Sequence, residues 1–454
     1  MHKYFFYFIA LLFANNLQAQ EIREYMDLQI HPNMHMVYSF FGDGLEYFDE
    51  EDAPKLKWKH QLKNVNYANF YEDNKGVRIF VTGALTVETI KSKKKARKTI
   101  LAQIEFINKF AEEHSDKFVV AKTPEEVRHY VKNTDKTIFV HSIEGSKKVI
   151  NSAEDAQFWA DQGVAFVTLI HLVDSKSGGA AIKPGMMPAL LNFKGVFKKK
   201  KKRGLKDHGR EVIKWLSAAG IMTDLTHMSD QTRKDALTFM EEHNIPPIVT
   251  HDLFKPIQNH PRGIEREDIL RIYKLGGFMS LPISGESLKP RKSEEEYKNL
   301  IDSLTQAECY CEGSIHTYKL TYEALQEFIE ENVMEFYADK DTLINFDNLS
   351  EQDKVRFSIG FQSDFNGWLN HSRPVYGKDG CYEVHPDSTY EAIELEGMPH
   401  PGLIESHWNW LEKENVDISP VKRASERFLQ VWEELRANKD RFKEEHTEEL
   451  SSKK

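Results

Sequence analysis

The sequence predicts a (β/α)8 barrel of the TIM type, in which eight parallel strands alternate with helices. Strand-like apolar runs recur along the chain with helical segments between them, which is the alternation expected of βα units around a parallel sheet. Polar residues that could bind a metal follow several of these runs. Such a barrel has its active site at the carboxyl ends of its strands, so this placement also favours the fold.

Eight segments have strand character, which is about the number that closes such a barrel. In chain order they are Tyr25–Ile30, Val77–Thr82, Thr137–Ser142, Ala165–Ile170, Ile221–Thr226, Pro247–Thr250, Gly277–Leu281 and Val355–Ile359.

Helical segments fill the gaps, and glycines stand where several of them should end. The predicted helices are Thr86–Glu113, Pro124–Lys132, Ala153–Gln162, Asp207–Ala219, Gln231–Glu242 and Glu265–Leu275.

Two regions depart from this alternation. The charged segment Pro290–Asp353 contains an amphipathic helix candidate, Tyr318–Tyr337, and is predicted to be an insertion before the last strand. The barrel, over residues 21–436, should finish with two C-terminal helices, Glu405–Glu414 and Pro420–Arg436. Residues 437–454 are rich in lysine and glutamate and are predicted to be a disordered tail.

The first 20 residues are predicted to be a signal peptide. The apolar run Tyr4–Ala14 is too short to span a bilayer, and Leu17–Gln20 supplies a small, polar cleavage region. We therefore expect export to the periplasm or the extracellular space, with no transmembrane span in the mature chain. An N-terminal anchor or a buried helix is the alternative.

Composition narrows the choice of partners. The net charge is -10, from 61 basic and 71 acidic residues, so there is no reason to expect a nucleic-acid partner. The basic run Lys198–Arg203 has no interleaved aromatic residues and is interpreted as a solvated loop or a helix start. A homodimer is left open.

Three cysteines, Cys309, Cys311 and Cys381, are too few and too oddly spaced for a disulfide framework or a zinc ribbon. In an exported protein Cys381 could pair with one of the other two. The alternative is an exposed thiol.

Candidate ligands follow six of the predicted strands. A single histidine after a strand is more often structural, but separate strands that end in this way point to a shared site. The candidates are His31, Glu144, His171, His227, His251 and Asp364.

These residue types suit a zinc hydrolase. Imidazole and carboxylate are zinc ligands, and a carboxylate can bridge two ions. We therefore expect Glu144 to be the bridge, His227 and His251 to complete one ion, and His31 to reach the other. Bound ions would activate a water for attack on an amide.

Three further roles are assigned. Asp364 could move the proton from the attacking water to the leaving amine. His171 is assigned to oxyanion stabilisation or substrate contact. Arg262 can offer a bidentate fork to a substrate carboxylate, although a surface salt bridge is an alternative for this residue.

The chain resembles the membrane dipeptidase (renal dipeptidase) family of zinc metallopeptidases, within the amidohydrolase-like metal-dependent hydrolases, from about Tyr25 to about Arg436. The segments that carry the resemblance stand in the family's order: Ile143-Glu144-Gly145, Thr168-Leu169-Ile170-His171, Gly204-Leu205…Gly209, Asp224-Leu225-Thr226-His227-Met228-Ser229, Thr250-His251, Pro261-Arg262 and Ser363-Asp364-Phe365-Asn366-Gly367. The resemblance implies a two-zinc barrel that hydrolyses dipeptides, with the roles given above.

The first strand departs from the family pattern. Where the family has His-x-Asp, this chain has Gln29-Ile30-His31. Glutamine is a poor zinc ligand, so we expect one well-held ion and a second that is weak, exchangeable or missing. His35 is near enough in sequence to be considered as a substitute. Three functions stay open: a small-peptide hydrolase, an inactive barrel that acts as a binding protein, and a hydrolase of another small amide or lactone.

Overall fold

The computed structural model describes the greater part of the chain. The described residues are 22–37, 46–47, 65–66, 76–86, 88, 92–181, 203–284, 289–290, 294–306, 310–337, 345–367 and 369–452. The predicted signal peptide, Cys309 and the lysines of the predicted basic run lie outside them, as does the side chain of His35.

The strands are short and are joined mainly by helices. In chain order they are β1 (Met26–Ile30), β2 (Glu46–Tyr47), β3 (Val65–Asn66), β4 (Ile79–Leu85), β5 (Phe118–Val120), β6 (Thr137–Glu144), β7 (Val164–Thr168), β8 (Met222–Asp224), β9 (Ile248–Val249), β10 (Leu253–Phe254), β11 (Gly263–Ile264), β12 (Phe278–Pro282) and β13 (Ile359–Gln362).

Eight parallel strands close into a barrel, in the order β4-β1-β13-β12-β9-β8-β7-β6, and β4 pairs with β6 to complete the ring. The last strand, β13, lies between β12 and β1. The predicted (β/α)8 fold is confirmed. The strand β5 adds to the outside of the ring beside β6, and β2–β3 and β10–β11 form two small separate pairs.

The helices of the described residues cover the barrel and continue past it. The α-helices are Met34–Val37, Lys93–Glu113, Pro124–Asn133, Ala153–Asp161, Asp207–Ala219, Asp230–Glu242, Arg266–Lys274, Glu295–Gln306, Ile315–Glu331, Glu351–Lys354, Ala392–Glu396, Ile404–Lys413, Ser419–Ala437 and Lys439–Ser452. None of them is both long enough and apolar enough to cross a membrane.

The last barrel strand starts later than the sequence predicts. Val355–Phe357 forms a 3-10 helix that continues the turn begun by Glu351–Lys354, and β13 begins only at Ile359. Val355 and Phe357 are both buried, with the Phe357 ring 5.2 Å from that of Phe336. The alternation of Val355 and Phe357 therefore predicted correctly that both side chains are buried. It predicted a strand where the structure has a 3-10 helix.

One helix start and the C-terminal tail also differ from the prediction. The first long helix begins at Lys93 rather than at Thr86, because Ser92 caps it by accepting a hydrogen bond from the Lys95 backbone. The predicted disordered tail instead contains the helix Lys439–Ser452. Phe442 on this helix is buried, which gives the charged tail an apolar anchor.

Strands and helices pack around one large apolar core, beside which Met34, Val37 and Leu85 form a small separate cluster. The strands β4, β7 and β12 are buried along their whole length, as parallel strands covered by helices should be. The C-terminal helix Ser419–Ala437 lies against the barrel, with the Phe428 ring 6.3 Å from Phe166. A disulfide between Cys311 and Cys381 ties the segment before the last strand to the loop after it.

Candidate metal centre

Four of the predicted site residues meet at the carboxyl ends of neighbouring strands. Glu144 is the last residue of β6, and His171, His227 and His251 follow β7, β8 and β9. All four side chains are buried. The barrel therefore brings together residues that lie far apart in the sequence, as its topology requires.

One oxygen of Glu144 is the point on which the imidazoles converge. Its Oε1 lies 3.2 Å from Nε2 of His227 and 3.2 Å from Nε2 of His251, with Nε2 of His171 slightly farther away at 3.5 Å. The Nε2 atoms of His227 and His251 are 2.9 Å apart. Glu144, His171 and His227 offer ligand atoms that all lie within 4.8 Å of one another.

The other oxygen of Glu144 faces the first and last strands of the barrel. Its Oε2 is 3.3 Å from Nε2 of His31, which also lies 3.1 Å from Oδ1 of Asp364. The Nδ1 of His31 is 2.7 Å from the backbone oxygen of Gly83. Because a carbonyl can only accept, Nδ1 carries a proton, and Nε2 is the ring nitrogen that faces the carboxylates of Glu144 and Asp364.

Gln29 shares this side of the site. Its Nε2 lies 3.2 Å from Nε2 of His31, and its Oε1 accepts a hydrogen bond from Ser142 at 3.5 Å. The glutamine amide nitrogen stands beside the ring nitrogen that a metal ion would bind. Gln29 therefore competes for His31 as well as being a poor ligand itself.

Asp224 is a buried carboxylate that sequence reasoning missed, and it orients the histidine half of the site. It accepts hydrogen bonds from the hydroxyls of Thr168 at 2.7 Å, Thr226 at 2.7 Å and Thr250 at 2.9 Å. Since the Thr250 proton goes to Asp224, its oxygen accepts from Nδ1 of His251 at 2.8 Å. This turns the His251 ring so that its Nε2 faces Glu144. The polar Thr-Asp-Leu-Thr run at 223–226, unusual for a buried strand, was the available signal.

Asp27 is a second buried carboxylate that the sequence reasoning did not single out. It holds the ends of the first and last barrel strands together. Its Oδ1 accepts the backbone N–H groups of Gln29 at 3.2 Å and Ser363 at 3.0 Å, and its Oδ2 accepts from the Ser363 hydroxyl. The backbone N–H of Asp364 donates to the Gln29 carbonyl at 2.9 Å. These bonds fix the distance between the two strand ends that carry His31 and Asp364.

The backbone is left-handed at two site residues, with φ of 65° at His227 and 57° at Asp364. Residues other than glycine rarely adopt this conformation, which persists where surrounding contacts impose it. Here the left-handed backbone directs the His227 and Asp364 side chains towards the other site residues, shortly after each strand ends.

Arg262 is anchored beside the site by a residue that sequence reasoning did not consider. Its Nε donates to Oδ1 of the buried Asp252 at 2.9 Å, and its Nη2 donates to the backbone oxygen of His251. The positive charge of Arg262 lies close enough to help lower the pKa of His227. The guanidinium is thus held at the edge of the proposed metal centre.

Electrostatics differ between the two sides of Glu144. Burial alone would raise the pKa of Glu144, but the His171 charge and hydrogen bonds from His227 and His251 outweigh burial and hold this pKa well below its usual value. Burial lowers the pKa of His227, and Arg262 lowers it further. For His31 the opposite holds: burial would lower its pKa, but Asp364 and Glu144 raise it to about 9.

The donor chemistry fits a divalent metal on the histidine side. Imidazole nitrogens and a carboxylate oxygen lie about as far apart as neighbouring ligands of one zinc ion do. Thr250 orients one imidazole in the way typical of metal-bound histidines. On the other side the fit is poorer, since Gln29 contributes an amide where an anionic or imidazole ligand would be expected.

Comparison with known proteins identifies the family. The model of the membrane dipeptidase family, peptidase family M19, matches residues 45–323, which is more than half of the chain. The chain belongs to the membrane dipeptidase family. The predicted resemblance is confirmed.

Curated relatives of this family member are distant. The dipeptidase verJ of Clonostachys rogersoniana is 26% identical over 210 residues, which cover 45% of this chain and 49% of that protein. An uncharacterized dipeptidase of Schizosaccharomyces pombe, C965.12, is 29% identical over 147 residues, or 32% of this chain and 31% of that protein. The chain spans about half the length, or less, of the curated relatives that it matches.

Solved structures share the fold of this membrane dipeptidase family member. A metallopeptidase of Rhodobacter sphaeroides, solved with a phosphinate mimic of the dipeptide L-Ala-D-Ala, has a TM-score of 0.53 at 12% identity, with 91% of this chain and 99% of that chain covered. An amidohydrolase of Pseudomonas aeruginosa has a TM-score of 0.50 at 15% identity, covering 92% of this chain and 97% of that chain.

Proposed function

We propose that this family member is a zinc-dependent hydrolase that cleaves small peptides, most specifically dipeptides. The observation that carries the proposal is the convergence of His227 and His251 on one oxygen of Glu144, each at 3.2 Å. When bound there, a zinc ion would lower the pKa of a water towards neutrality and polarise the substrate carbonyl.

The remaining groups have roles that follow from their positions. Asp364 is within reach of Glu144 through His31 and can carry a proton from the nucleophile to the leaving amine. His171, beside Oε1 of Glu144, can donate to the oxygen on which negative charge develops. Arg262, fixed by Asp252, can bind the substrate carboxylate.

The number of ions is part of the proposal. We assign the firmly held ion to Glu144, His227 and His251, and a weaker second position to His31 and the opposite oxygen of Glu144. The contact between the Gln29 amide and Nε2 of His31 supports this difference in affinity. It also supports a second candidate, a barrel that binds small peptides without turnover.

One experiment separates the two candidates. The purified protein would be analysed for bound metal and then assayed against a dipeptide panel with and without added zinc. We expect turnover that requires metal and is abolished in a Glu144→Gln variant. Stoichiometric metal without turnover of any dipeptide would reject the hydrolase in favour of the binding protein.

We also propose that the protein is exported. The disulfide between Cys311 and Cys381 supports this location, because such bonds persist in oxidising compartments. N-terminal sequencing of the mature protein, expressed with residues 1–20 present, tests it: a start near residue 21 is expected, and an intact Met1 would contradict it.

A further inference from the structure

Glu88 is a buried carboxylate at the edge of the site that none of the roles above uses. It follows β4 and is 5% exposed. Its carboxylate accepts the backbone N–H of Lys147, while its Oε1 has no hydrogen-bond partner among the described residues. A buried carboxylate oxygen without a partner is costly, so a ligand is a natural explanation for it.

Gly145 creates the space into which Glu88 points. Its φ is +101°, and a β-carbon placed on it would lie 2.7 Å from Oε1 of Glu88 and 3.2 Å from Cβ of His171. Any side chain at this position would therefore displace Glu88. The glycine lets Oε1 of Glu88 approach the backbone that follows Glu144, on the side where His171 lies.

The charges around Glu88 are mixed. Burial raises the pKa of Glu88 to about 8 and the negative charge of Glu144 adds to this rise, while Lys147 and Lys148 oppose it. A cation bound at Oε1 would favour the ionised carboxylate.

Topology puts Glu88 opposite Arg262. Around the ring β4-β1-β13-β12-β9-β8-β7-β6, the strands β4 and β9 are four steps apart in either direction. Glu88 follows β4 and Arg262 lies beyond β9, so a carboxylate and a guanidinium enter the barrel mouth from opposite strands of the ring. A small peptide zwitterion has the complementary charges at its two ends.

We propose that Glu88 binds the α-ammonium group of the peptide substrate. This inference rests on the proposed function and deepens it, because it makes a free amino terminus a requirement for efficient cleavage. A substrate that binds both Arg262 and Glu88 would need its two charged ends at a fixed separation, which would favour dipeptides over longer chains.

The test compares one dipeptide with its N-acetylated form on the metal-loaded enzyme. In the wild type, kcat/KM should be higher for the free dipeptide. Glu88→Gln keeps the shape of the side chain and removes its charge, so it should lower kcat/KM for the free dipeptide by about 10- to 100-fold and leave the acetylated one nearly unchanged. The exposed Glu154, changed to Gln, is the matched control and should alter neither.

Two results would overturn the inference. Equal losses on both substrates, with an unchanged melting temperature, would make Glu88 a structural or general catalytic group. If Glu88→Gln preferred the free dipeptide over the acetylated one as strongly as the wild type does, Glu88 would not bind the substrate ammonium.

Failure of the proposed function is recognised separately. If the wild type cleaves neither substrate, calorimetry with a phosphinate mimic of alanylalanine, free or N-acetylated, decides the role of Glu88. A binding advantage of the free amine that disappears in Glu88→Gln supports the inference, and an advantage that persists, or is absent from the wild type, overturns it.

Discussion

The side-chain amide nitrogen of Gln29 lies 3.2 Å from Nε2 of His31, on the side of Glu144 that faces away from the other histidines. The amide occupies the approach that a second metal ion would take to His31. In the proposed two-metal arrangement, this single contact accounts for the weaker affinity of the second position.

Changing Gln29 to His should create a second firm metal position. It adds an imidazole ligand and removes the competing amide donor, so bound zinc should rise from about one to about two ions per chain. Metal analysis after dialysis against a weak chelator measures this. Gln29→Ala frees His31 without adding a ligand; if it raised the ion count equally, the missing ligand would not be the cause.

Thr250→Val should weaken metal binding without unfolding the barrel. The change keeps the side-chain shape but removes the oxygen that accepts from Nδ1 of His251 at 2.8 Å. Loss of such an orienting contact typically costs about 10- to 100-fold in metal affinity. Competition with a chelating dye gives the affinity. A normal affinity in the variant would show that His251 is oriented by other contacts.

Arg262→Lys should discriminate between substrates by their carboxyl terminus. A lysine keeps the charge but loses the two-pronged hydrogen-bonding geometry held by Asp252, so kcat/KM for a free dipeptide should fall by about 10- to 100-fold. The same dipeptide with an amidated carboxyl terminus is the control and should be affected little. Parallel losses on both would contradict the carboxylate-binding role.

Acidification should destabilise the fold through buried neutral histidines. Burial lowers the pKa of His407 from 6.5 to about 3, so the unfolded state takes up a proton first as the pH falls. Its contribution to stability is complete above pH 6.5 and is lost between 6.5 and about 3. In this window His407→Phe should reduce the pH slope of the unfolding free energy by about 1.4 kcal/mol per pH unit. Denaturant titrations at several pH values test this, and parallel slopes would rule it out.

Breaking the disulfide should destabilise the protein. Cys311 and Cys381 are 70 residues apart in sequence, and opening a loop of that size costs about 4 kcal/mol in the chain-entropy account. Cys381→Ser should therefore unfold at lower denaturant concentration, and reductant should shift the wild type in the same direction. Cys309→Ser is the control. A variant as stable as the wild type would show that the bond contributes little.

Much of the fold could be predicted from the sequence, because most barrel strands are rich in apolar residues and stand between helical segments. The strand ends could be predicted too, since polar residues such as Glu144 interrupt apolar runs at the place where the barrel opens. The last strand was misplaced because Val355 and Phe357 alternate like a strand while packing as a 3-10 turn.

The supporting residues were harder to predict. Asp224 and Asp27 act through contacts to other strands, and their partners are set by strand register, which a single sequence does not reveal. Asp252 and Glu88 depend on loops whose course follows from tertiary packing. The residues missed are thus those whose roles are defined by neighbours distant in sequence.

The Asp224 carboxylate has a consequence for how the site opens. It joins β7, β8 and the residue after β9 through Thr168, Thr226 and Thr250, so none of these strand ends can fray without breaking bonds to the other two. The backbone amide of Thr250 also donates to Asp224. Opening of one of these three strand ends should therefore require the other two to open as well. In hydrogen-exchange experiments this amide should be among the slowest in the protein, at a position where enzymes more often keep mobile loops.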